Sequence, residues 1–227
     1  MLAIAAFHLC AWALAPHVGD PAMARLFLGV LAALTVYPLA ISARAWKHLG
    51  ADASIRIHWP GLTECVRDIR VYAPLTLAAA IAVLLLSLET NQGWTDIDAE
   101  RLAIGLLRYL GLASVQVYFY FVFILPRLVI ALHSTNPKDH RVWAALAAIF
   151  AFCHLPNPSL MALGALIATG WTWLYRHRPN PVLLCASHAI LGTLLAEVAQ
   201  IHMRIGVAYS MPGFRPFRLA LASVLMP

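Results

Sequence analysis

An all-α fold, a polytopic bundle of about seven or eight transmembrane helices, is what this sequence predicts, and three observations predict it. Of its 227 residues 62% are hydrophobic and only 11% are charged, where a soluble domain carries about a quarter charged. Apolar stretches of about 17 to 25 residues, each long enough to cross a bilayer core of roughly 30 Å, recur along the chain. The short loops between them alternate between basic and acidic, the pattern that sets orientation in a membrane. Ten-residue alternating segments are missing, which argues against an outer-membrane barrel.

The first span runs from about residue 2 to 15 and a Pro- and Gly-rich turn follows at 16–21. Residues 1–16 carry no basic n-region and lead to no small-residue cleavage site, so they read as a span and not as a removed signal peptide. The second span covers about 25–42. A polar stretch, 44–70, holds Arg44, Lys47, Arg56, Arg67 and Arg70 against Asp52, Glu64 and Asp68. Trp46, Trp59 and Tyr72 border it as rings do at headgroup level, which lays this stretch on the membrane surface.

The third span, 71–88, precedes an acidic loop with Glu89, Asp96, Asp98 and Glu100. The fourth runs from about 102 to 125 and ends at Pro126-Arg127. The fifth, 142–154, is too short to cross and stops at Pro156-Asn157-Pro158. The sixth, 159–175, leads to the basic turn 176–181, and the seventh covers about 182–199. Basic loops at 44–70, 127–141 and 176–180 against the acidic loop 89–101 place the N-terminus and the basic loops in the cytoplasm. The stretch after Gln200 does not fit this count and reads as re-entrant or surface-bound. With no internal repeat or low-complexity linker, residues 1–227 read as one integral membrane domain.

A net charge of +6 could point to nucleic acid in a soluble protein. Here the cations sit in short loops without a basic stripe of interleaved aromatics, which excludes that partner. The four cysteines, Cys10, Cys65, Cys153 and Cys185, form no CxxC pair, so neither a disulfide framework nor a thiolate metal site is indicated.

Ionisable groups inside a span are costly, so each one is a functional candidate. His8, Gln116, His154, His188 and Glu197 qualify. His154 and Gln116 each lie some 13 or 14 residues into their spans, near mid-membrane at 1.5 Å per residue; His188 is shallower. The two prolines after His154 remove backbone donors. Non-helical backbone at such depth survives only where protein or a water-filled cavity surrounds it. His154 and Asn157 are therefore expected to face a buried polar pocket, which His188 and Gln116 can share. His8 reads as bonding a neighbouring carbonyl, Gln116 as an interhelical hydrogen-bonding residue, and Trp171, Trp173 and Tyr175 as an interfacial belt. Glu197, nine residues past His188, points away from it at 100° per residue.

The segment "FAFCHLPNP", followed some thirty residues later by "SHAILGTLL", resembles the CPBP family, the CAAX prenyl proteases and bacteriocin-processing intramembrane proteases. Phe150 and His154 match its Phe-x-x-x-His motif, and His188 the first position of its later His-x-x-x-Asn motif. "GWTWLYRHRPNPVLLCASHA" resembles the pattern between them. The likeness covers roughly residues 105–200. It implies a bundle of about eight helices with an active site inside the membrane, and a protease activity. Two departures stand out. Aligning on "ILPRL" puts the glutamates of the family's Glu-Glu-x-x-x-Arg motif at Gln116 and Val117 and its arginine at Phe121. Gly192 stands where the last motif has Asn.

In the family the glutamate activates water and the histidines stabilise the oxyanion, and a metal role has also been put forward. Glutamine cannot take up a proton usefully, so here His154 or His188 would be the base, with Asn157, Gln116 or the other histidine as oxyanion donors. These four residues are the candidate site. No cofactor is expected. Zinc would need a third protein ligand, which only His202 could supply if the tail folds back. The reading is an intramembrane endopeptidase acting on a membrane-associated protein or peptide, in the cytoplasmic membrane of a bacterium. The alternative is a non-catalytic relative that binds or chaperones membrane partners. A haem or lipid site using both histidines is a third, weaker reading.

Overall fold

The computed structural model describes residues 60–89, 99–199 and 201. The first two expected spans, most of the polar stretch, most of the acidic loop, His8, His202 and the tail fall outside the described residues. Within them every regular element is a helix: α1 (Leu62–Glu89), α2 (Ala99–Val117), a π-helical segment (Tyr118–Ile124), α3 (Leu125–Ala131), α4 (His140–Phe152), α5 (Pro158–His177), α6 (Pro181–Thr193) and a second π-helical segment (Leu194–Val198).

Three stretches have the length and apolarity to cross a bilayer: Leu62–Leu88, Ala99–Ala131 and Pro181–Val198. Their outward surfaces are greasy. Leu77 is 61% exposed, Leu107 71%, and Leu85 and Leu88 also face outward. On a water-soluble protein such continuous apolar surface would be an aggregation liability, whereas lipid tails meet it without cost. These helices mark a membrane protein. α5 has 20 residues, but its Trp, Thr and Gly content keeps it less apolar.

Two element boundaries differ from the sequence expectation. α1 begins at Leu62 and not at Val71, so Arg67, Asp68 and Arg70 are helical; Glu64 accepts from the Gly61 N–H at 3.0 Å and closes that helix start. The fourth span does not end at Pro126 but runs on to Ala131. Pro126 lies in the first turn of α3, directly after the wide π turns, where a missing N–H costs least. Arg127 Nη1 donates to the Phe123 carbonyl at 2.6 Å, with its guanidinium 3.6 Å from the Phe123 ring centroid. That charged side chain satisfies a backbone acceptor next to the proline.

The chain divides into two compact units whose described parts are 122–170 in one and 60–89, 99–121, 171–199 and 201 in the other. In the first, α3 packs on α4. α3 ends in a Schellman turn: Ser134 N–H donates to Val129 O and His133 N–H to Ile130 O, with His133 left-handed at φ 48°. Asp139 then caps α4, accepting from the Arg141 N–H. In the second unit α6 packs against both α1 and α2. Small residues make that approach close, with Ala113, Ser187, Ala189 and Gly192 all buried.

The Pro-Asn-Pro sequence occurs twice, at 156–158 and 179–181, and does the same job each time. Asn157 Oδ1 accepts from the Leu160 N–H and Asn180 Oδ1 from the Leu183 N–H, both at 3.1 Å. Each asparagine is an N-cap, each following proline occupies N1, and both asparagines are buried. The break that the sequence places at 156–158 is real, and its role is to start α5.

Candidate functional site

α4 ends at Phe152, so His154 sits in the tight turn after it and not within the helix. Its N–H donates to Ala151 O, and its own carbonyl accepts from the Asn157 N–H, both at 2.9 Å. The side chain folds back: Nδ1 lies 2.9 Å from the Phe150 carbonyl oxygen, and the two rings are 5.1 Å apart. A carbonyl can only accept, so Nδ1 carries the proton and Nε2 of the neutral ring keeps a lone pair. Gly164 of α5 makes room for this ring; a Cβ there would lie 3.3 Å from Nδ1. The Phe-x-x-x-His spacing thus has a physical meaning here, because the turn that ends α4 folds the imidazole back over the Phe150 carbonyl. His154 is half-buried.

Asn157, expected to serve the same pocket, spends its Oδ1 on the α5 cap. The described stretch 122–170 contains a single acid, Asp139, which is bound to Arg141 through Oδ2 at 2.8 Å. It stands at the far end of α4, a helix of 13 residues, or about 20 Å of rise away from His154.

His188 belongs to the other unit. It is buried within α6, with its ring 4.5 Å from Trp171 at 45°. Trp171 Nε1 donates to Ser187 Oγ at 3.2 Å, and Thr76 Oγ1 donates to the same oxygen at 2.9 Å. Ser187 therefore ties α1, α5 and α6 together beside the histidine. Trp171 is buried, so it is an internal packing residue and not part of an interfacial belt; Trp173, on the opposite side of α5, is exposed and suits that role.

Gln116 is half-buried in the last turn of α2. Val117 and Phe121, aligned with the second glutamate and the arginine of the resembled motif, are core residues at 1% and 0% exposure. Phe121 packs edge-on against Trp171 at 6.3 Å and against Tyr175 at 5.8 Å. Gly192 lies against Tyr109, whose ring occupies the volume a side chain there would need. Glu197 pairs with Arg101, Nε to Oε2 at 2.6 Å, and covers Gly105. Among the described residues no three His, Cys, Asp or Glu side chains gather to hold a metal ion.

Sequence reasoning passed over Tyr109 and Gly164 and placed Trp171 at the membrane interface. The glycine that closes "LMALG" could have signalled close approach; nothing in the local sequence says which aromatic ring turns inward. Comparison with protein-family models, with curated proteins and with solved structures finds no match for this chain.

Proposed function

We propose that the chain is a multi-pass protein of a bacterial cytoplasmic membrane, with seven or eight spans in a CPBP-like bundle, and that it hydrolyses a peptide bond in a membrane-associated protein or peptide. The observation that carries this reading is the 2.9 Å contact of His154 Nδ1 with the Phe150 carbonyl oxygen. That contact commits the Nδ1–H, which leaves Nε2 as a half-buried base. A neutral imidazole is suited to take a proton near neutral pH. His154 Nε2 takes a proton from water as its oxygen attacks the scissile carbonyl carbon. The carbonyl becomes a tetrahedral oxyanion, and that proton then passes to the departing amine as the C–N bond breaks. Hydrogen-bond donors aimed at that oxyanion stabilise it. No carboxylate is used.

A second reading is favoured by a specific observation: the positions matching the family's second glutamate and arginine are the buried apolar Val117 and Phe121. On that reading the fold is kept as a module that binds membrane partners and performs no hydrolysis.

The experiment compares cells carrying the intact protein with cells carrying His154→Ala at matched, membrane-inserted levels, with the termini of membrane proteins mapped by mass spectrometry. New termini that vanish in the variant and reappear with purified intact protein support the protease. An unchanged set of termini, with the variant folded and inserted, rejects it in favour of the binding module.

A further inference from the structure

α1 and α6 bring their N-termini to the same end of their unit. Asn180, the α6 cap, donates Nδ2–H to Asp68 Oδ2 at 3.2 Å. The other oxygen of this buried carboxylate accepts from Arg67 Nε at 2.9 Å and lies 4.0 Å from Arg178 Nη1. Two guanidiniums therefore share one carboxylate, and about half of each side chain stays in the open: those of Arg67 and Arg178 are 57% and 47% exposed. Arg70, one turn further along α1, is exposed as well. Positive charge is left over at the end where two apolar spans begin, and the two helix N-termini add to it.

We propose that this end of the unit is a docking site for the phosphodiester headgroup of an anionic phospholipid, gripped by Arg67 and Arg178, whose guanidiniums the headgroup draws away from the single carboxylate of Asp68. Guanidinium forks match phosphate oxygens in geometry as well as charge. What selects a lipid over a soluble phosphate is the surface beside the arginines. Val66 and Ile69, interleaved with Arg67 and Arg70 on α1, are 59% and 48% exposed and offer an apolar flank to acyl chains. A ligand with an anionic head and a greasy body satisfies both halves of this surface. The proposal uses neither His154 nor His188 and does not depend on whether the protein hydrolyses anything.

The test uses the full-length purified protein in detergent, with retained lipid counted by native mass spectrometry and stability followed by thermal unfolding. Phosphatidylglycerol is titrated in parallel with phosphatidylcholine and with inorganic phosphate. Phosphatidylglycerol is expected to bind and stabilise more than the other two. Each lost surface cation is worth about fivefold, so Arg67→Gln with Arg178→Gln weakens phosphatidylglycerol binding by more than tenfold, while Arg141→Gln leaves it unchanged. Since removing both arginines strands Asp68, Asp68→Asn is the decisive variant. It retains an acceptor for Asn180 and releases both guanidiniums, and it is expected to bind phosphatidylglycerol several-fold more tightly. A folded Asp68→Asn protein with unchanged or weaker binding overturns the proposal. So does equal binding of phosphatidylcholine, or stabilisation by inorganic phosphate as strong as that by the lipid.

Discussion

The ring of Tyr109 fills the space that a side chain at Gly192 would occupy: a Cβ there would lie 2.5 Å from Tyr109 Cδ1 and 2.6 Å from Cε1. Real atoms do not approach so closely, so α2 and α6 can meet at this point only because residue 192 is glycine. The consequence reaches the family comparison, since an asparagine at 192 has no room beside this ring. Gly192→Ala is expected to destabilise the protein by about 1–3 kcal/mol, the cost of overpacking a tight interface. Gly192→Asn should cost more. Combining Gly192→Ala with Tyr109→Ala should cost less than the sum of the two single changes, because the collision is then gone. Thermal unfolding of all three variants checks this, and strict additivity would refute the contact.

Gly164 governs the His154 ring. An added methyl would press on Nδ1 from 3.3 Å, so the imidazole must shift from the Phe150 carbonyl by a few tenths of an ångström. A larger side chain pushes it off. Gly164→Val is expected to weaken the Nδ1–H to Phe150 hydrogen bond and mix the two tautomers. Nitrogen-15 NMR of labelled histidine reads this directly: a single Nδ1-protonated state in the intact protein, a mixture in the variant.

Ser187 accepts two hydrogen bonds, from Thr76 and from Trp171. Ser187→Ala leaves both donors inside the helix packing without this acceptor, at a total of about 1–2 kcal/mol, given the modest worth of such bonds in membranes. The double-mutant cycle with Thr76→Val isolates one of the two. A coupling energy indistinguishable from zero would show that the serine hydroxyl is not holding α1.

The acid side of the pH profile should report on Asp139. The hydrogen bond from Arg141 holds its carboxyl well below the usual carboxylate range, and burial opposes this only in part. A depressed folded value means that the contribution is in full force above the unfolded value, about 3.9, and fades as pH falls through the folded one. The Tm gap between the intact protein and Asp139→Ala should therefore stay constant from neutral pH down to about pH 4 and close below it. A gap that closes instead on raising the pH would contradict the assignment.

What the sequence by itself determined is whatever depends on composition and short-range chemistry. The helical class, the apolar spans and the loop charges follow from side-chain transfer energies that act wherever the chain is placed. The halt before Pro156 and the start at Pro158 follow from a missing N–H and an asparagine cap, both local. The Phe150–His154 pair stood out in the sequence only through the resembled motif; the turn after α4 is what brings the imidazole to the Phe150 carbonyl. Pro126 misled because a π-helical segment upstream absorbs the proline, and its wider turns are a compromise with packing that no residue type announces. The tertiary structure alone decided which apolar and aromatic residues turn inward. Trp171 faces Ser187 and His188 while Trp173, two positions on, faces out. Tyr109 fills the place of a missing side chain at Gly192, and Asp68 meets Asn180 across 112 residues of sequence. Close packing is a property of pairs of surfaces, and one strand of sequence carries only one surface of each pair.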